Sequence, residues 1–156
     1  MAFSPGRLAG AMTVAALMLG AFAGPAAAHV TFSGIAGVDL GMTEDEVTGA
    51  LGQPSTSRPG RTASTTMLVF RRQKLEVVLH RGHDRVVSVS TKSRAQRTRA
   101  GLGVGSSSGV VRSKLRDEKC GTARGTTVCS VQRGDNVMDF EIRRGKVIRV
   151  AVTDLG

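Results

Sequence analysis

The sequence contains no tryptophan and no tyrosine, and two of its five phenylalanines, Phe3 and Phe22, lie near the amino end. Only Phe32, Phe70 and Phe140 remain beyond them. Aromatic anchors dominate many protein interfaces, and single-stranded nucleic acids stack on aromatic rings. Aromatic-anchored interfaces, sugar platforms and base-stacking sites are therefore not expected. Cysteine is nearly as scarce. Cys120 and Cys129 are the whole complement, too far apart for a C-x-x-C redox or zinc motif. Histidine stops at His83, which leaves no downstream base for a hydrolase triad in serine–acid–histidine order.

What is present begins with an export signal. Arg7 is followed by an uncharged stretch of about 20 residues containing Val14, Leu17, Met18, Leu19 and Phe22, and then by Pro25 and Ala26-Ala27-Ala28. That is the charged, apolar and small-residue order of a cleavable signal peptide. Half of the stretch is alanine and glycine, which is marginal for a membrane span. No cysteine follows it, and no arginine pair precedes it, so neither a lipoprotein nor a twin-arginine signal is indicated. Cleavage after Ala28 leaves 128 residues with 21 basic and 12 acidic side chains, a net charge of +9. The expected location is secreted or cell-envelope, with no membrane span after cleavage. In that oxidising compartment Cys120 and Cys129 read as one disulfide.

An internal similarity runs at an offset of 64 residues. Gly37, Gly41, Val47 and Leu51 recur as Gly101, Gly105, Val111 and Leu115. Thr43 has the position of an N-cap, with Glu46 three residues on completing a capping box, and Ser107 is the corresponding cap. Val47 with Leu51, and Val111 with Leu115, each form an i, i+4 apolar stripe. Three strand-like runs follow each helix: 67–70, 75–79 and 86–89 in the first half, then 127–131, 137–142 and 147–152 in the second. Met138, Phe140 and Ile142 alternate with Asp139, Glu141 and Arg143, the pattern of an antiparallel strand with one wet face. The expected fold is α+β: two tandem units, each a helix plus a three-stranded antiparallel meander, forming one extended sheet with helices on one face. The first unit spans 29–91, a basic linker 92–99, and the second unit 100–156. Residues 53–66 read as a polar loop.

The run Gly41-Met-Thr-x-x-x-Val-x-x-x-Leu-Gly-x-Pro54 resembles the opening of the helix–sheet repeat in beta-lactamase-inhibitory-protein-like domains. It is also similar to SmpA/OmlA outer-membrane assembly lipoproteins. The tandem arrangement over residues 34–152 resembles the inhibitor type, which implies one concave sheet made by two aligned units. The missing aromatics and the missing lipoprotein cysteine are departures that separate this chain from both functions.

Other motifs have plainer explanations. Gly105-Ser-Ser-Ser-Gly109 fits the nucleophile-elbow expression, but Ser107 is better accounted for as a helix cap. Gly101-Leu-Gly-Val-Gly105 has its third glycine one position early for a dinucleotide loop. No cofactor is expected. A metal site would need His80 and His83 with Asp84, or a copper site built on the α-amine and imidazole of His29 with one of those histidines. Lys92, Arg94, Arg97 and Arg99 of the linker form a candidate patch for an anionic partner, supported by Arg58, Arg61, Arg71, Arg72, Arg81 and Arg85. The favoured function is an exported, non-enzymatic binding module that presents a sheet face to a protein or anionic envelope component. Nucleic acid is not expected as a partner. The alternatives are a structural envelope-assembly factor and a copper-binding protein that uses His29.

Overall fold

The computed structural model describes residues 29–156. The expected signal peptide, residues 1–28, lies outside the described residues. The chain begins with three two-residue strands, β1 (His29–Val30), β2 (Gly34–Ile35) and β3 (Val38–Asp39), followed by helix α1 (Glu44–Leu51). A meander of β4 (Thr56–Pro59), β5 (Thr65–Phe70), β6 (Leu75–His80) and β7 (Arg85–Thr91) comes next. Then come β8 (Arg97–Thr98), helix α2 (Ser108–Lys114) and a second meander of β9 (Lys119–Ala123), β10 (Thr126–Arg133), β11 (Asn136–Arg143) and β12 (Lys146–Asp154).

The two meanders join through their last strands into one eight-stranded antiparallel sheet of order β4-β5-β6-β7-β12-β11-β10-β9. The seam pairs Val89 with Val152, Ser90 with Ala151 and Thr91 with Val150. The register lines up buried residues across the six inner strands. Leu68, Val77, Val89, Val152, Met138 and Val131 form one transverse row, and Phe70, Leu75, Thr91, Val150, Phe140 and Cys129 form the next. All twelve are buried. Side chains alternate between the faces of a strand, so these rows define one covered face of the sheet.

That face is covered by both helices and by a second, four-stranded sheet of order β3-β2-β1-β8. Val47 of α1 and Val111 of α2 are fully buried in the same core as Val30, Ile35, Val38 and Leu102. Thr43 and Glu46 form a reciprocal capping box: the Thr43 amide donates to Glu46 Oε2 at 2.8 Å, and the Glu46 amide donates to Thr43 Oγ1 at 3.3 Å. Ser107 Oγ accepts from the Val110 amide at 3.3 Å and caps α2. Ahead of each helix, a glycine with positive φ docks the chain on the sheet. Gly41 donates to Val86 O and Gly105 to Val147 O.

The expected fold class needs correction. The described chain is mostly β, with two sheets and two short helices, and it does not divide into helix plus three-stranded meander units. Residues 53–66, read as loop, contain β4, and β9 adds a further strand to the other edge. Both are edge strands with every residue exposed, so they lack the apolar alternation by which strands are recognised. The small sheet is the other omission. Its two-residue strands are too short for any period, and β8 comes from the segment read as a linker.

Candidate functional site

The uncovered face of the large sheet holds a trough with a volume of about 1260 Å³. Arg61 beyond β4 and Arg124 beyond β9 both line it. The trough therefore runs across the face from one edge of the sheet to the other. The floor carries Met67, Val78, Val87, Val128 and Ala151, which follow or precede the buried Leu68, Val77, Val86, Cys129 and Val152 on their strands. Arg124 is aimed by the two-residue loop Arg124–Gly125, in which both residues have positive φ. A tight hairpin with the native strand twist requires that conformation at both loop positions.

Six cationic side chains line the trough, Arg58, Arg61, Lys92, Arg124, Arg143 and Arg149, against Glu76, Asp139 and Glu141. The centre is internally paired. Glu76 lies 3.4 Å from Lys92 Nζ and 3.2 Å from Arg149 Nη2. Arg149 Nη2 also donates to Ser90 Oγ at 2.7 Å, while its buried Nε has no acceptor. Asp139 accepts from Ser130 Oγ. Toward the ends, Arg143 donates to Thr126 Oγ1, and Arg58 makes a 3.4 Å contact with Met67 Sδ. No histidine or cysteine lines this surface.

The structure separates the linker cations. Lys92 lies in the trough, but Arg97 folds back, its guanidinium donating to Arg94 O, Gly101 O and Ser106 Oγ. Arg94 and Arg99 are exposed and do not line the trough. His80 and His83 stack at 5.0 Å between ring centroids, and His80 Nδ1 accepts from the Gly82 amide. His29 starts β1, beside Arg97 of β8. Among the described residues, no three His, Cys, Asp or Glu side chains converge as a metal site. The Cys120–Cys129 disulfide is formed and ties edge strand β9 to β10. Arg143, Arg149 and Glu76 were not singled out from the sequence. Their signal was faint: each is a charged residue at a wet position of a strand whose alternate positions are apolar.

No helix among the described residues is long and apolar enough to cross a membrane. No family model and no curated protein matches the chain. Its fold is similar to that of several solved structures. An extracellular protein containing an SCP domain from Bacillus anthracis is 12% identical, with a TM-score of 0.58 over 74% of this chain and 44% of that one. A cysteine-rich secretory protein from Staphylococcus aureus is 16% identical, with a TM-score of 0.53 over the same shares. A DUF4309 family protein from Bacillus subtilis is 14% identical, with a TM-score of 0.51 over 72% of this chain and 78% of that one. The chain thus spans less than half the length of the first two proteins. None of the three is a beta-lactamase-inhibitory protein or an SmpA/OmlA lipoprotein, and the resemblance drawn from residues 41–54 is corrected accordingly. The reason is physical. Gly41 makes a positive-φ turn, Thr43 a cap, Val47 a core contact and Gly52 a helix end, tasks common to any short helix docked on a sheet. What these likenesses show is a shared fold, one that occurs in proteins described as extracellular or secretory.

Proposed function

We propose that the protein is an exported, non-enzymatic binding module that offers the open face of its large sheet to a protein or cell-envelope partner. One observation carries this reading: a trough of about 1260 Å³ is lined by six cations drawn from both meanders, with five apolar side chains among them. A water-exposed sheet face without a partner has no need of either feature. Of the three trough carboxylates, Glu76 is held in two ion pairs and Asp139 accepts from Ser130. Similarity to proteins described as extracellular or secretory, together with the disulfide, supports the exported location.

The test uses immobilised residues 29–156 beside an Arg58→Glu/Arg143→Glu variant, each exposed to culture fluid and to envelope extract. A partner retained by the parent protein at moderate salt and lost by the variant supports the reading. Equal retention by both removes the trough from the function. Retention of nothing by the parent removes the binding module.

A further inference from the structure

The trough has a chemical bias that narrows its occupant. Its cations outnumber its carboxylates by two to one, which selects for negative charge. Met67, Val78, Val87, Val128 and Ala151 lie between those charges, beside hydroxyls such as Ser88 and Thr153, and hydrophobic contact contributes only when the ligand brings apolar groups of its own. Asp139 and Glu141 lie among the cations and would repel a ligand with a charge on every unit. An extended polypeptide meets all of these conditions, because alternate side chains point to opposite sides and acidic and apolar residues can be interleaved.

The central charges indicate how such a segment would be held. Glu76 sits between Lys92 and Arg149, with a carboxylate oxygen on each cation, and Arg149 keeps one guanidinium N–H without an acceptor. Building on the binding-module reading, we infer that the trough takes an extended acidic polypeptide segment with interspersed apolar side chains, and that Glu76 occupies the place of one of its carboxylates. An arriving Asp or Glu exchanges with Glu76 for Lys92 and Arg149, while Arg58 and Arg143 receive carboxylates nearer the ends.

This assigns opposite effects to residues of one site. Residues 29–156 are titrated by fluorescence anisotropy with a labelled, end-blocked peptide of alternating Asp and Leu, about ten residues long to cross the trough in extended form. Arg143→Gln and Arg58→Gln each weaken binding about two- to fivefold, the range of a partly exposed ion pair. Glu76→Gln tightens it by a similar factor, because the internal competitor is gone. An alternating Asp and Gly peptide of equal charge binds at least about tenfold more weakly, having no apolar side chains to bury.

Equal affinity for the two peptides would overturn the proposal, as would a Glu76→Gln variant that binds no tighter than the parent. Tighter binding of inorganic polyphosphate than of the Asp–Leu peptide, lost in Arg143→Gln, would make a phosphate-rich polymer the occupant instead. No binding of the Asp–Leu peptide would also overturn it. The binding-module reading would survive that result if the extract experiment retained a partner sensitive to Arg58 and Arg143. Arg143 and Arg58 make few contacts, so their variants keep the test decisive if Glu76→Gln folds poorly.

Discussion

Glu46 is held below the ordinary carboxylate range, first by the hydrogen bond from the Thr43 amide, then by the Thr43 hydroxyl, with a smaller contribution from the Arg85 charge. A carboxylate depressed in the folded state stabilises the fold fully above its unfolded range, and that contribution is lost as pH falls through the folded value. Glu46→Gln keeps a side-chain oxygen facing Thr43 but does not titrate. Its urea midpoint should therefore fall less than that of the parent as pH drops below the carboxylate range. Thr43→Ala removes the acceptor for the Glu46 amide and should cost about 1 kcal/mol by urea unfolding at neutral pH. At this scale the sequence was informative, because a capping box is a local pattern of one hydroxyl and one carboxylate at fixed spacing. The trough residues were not legible in the same way. Arg149 acts beside Glu76, 73 positions away in the chain, and only the seam between β7 and β12 brings them together.

At the scale of elements, the two edges of the large sheet are protected by different means. β4 ends in Pro59, which has no amide to offer a neighbouring strand, and carries Arg58. Both devices discourage further pairing. β9 has no proline and is fastened by the Cys120–Cys129 bridge, whose cysteines stand directly opposite each other with Cα atoms 4.1 Å apart. By loop-closure entropy, reduction should cost about 2.5–3 kcal/mol. The loss should fall first on β9, whose five residues are all exposed. Hydrogen exchange after reduction should show Lys119–Ala123 losing protection while Asn136–Arg143 keeps it. Strands β6 and β10 to β12 were readable because their apolar residues recur at every second position, and β5 and β7 because they are short apolar runs bounded by turns. β4 and β9 were not, since an edge strand with nothing to bury has no such pattern, and the two-residue strands of the small sheet offered too few positions to form one.

For the whole molecule, the covered rows matter more than any single contact. Phe140 is fully buried in the row that runs from Phe70 to Cys129. Phe140→Ala should cost about 3–5 kcal/mol in thermal or urea unfolding, much of the stability of a domain this size. The larger architecture was the least legible part. The expectation was one extended sheet built from three strands of each half and covered by helices, whereas the real sheet takes four strands from each half and shares its cover with a second sheet formed by segments from 29–39 and 97–98.

The position of β12 has a consequence for how the chain reaches this state. It is the last of the twelve strands in chain order, yet it sits in the middle of the sheet between β7 and β11. Until residues 146–154 are available, β7 presents an unpaired edge, and the two meanders have no hydrogen bonds joining them into one sheet. Assembly of the single large sheet therefore waits for residues 146–154, however early β4 to β7 form their own meander.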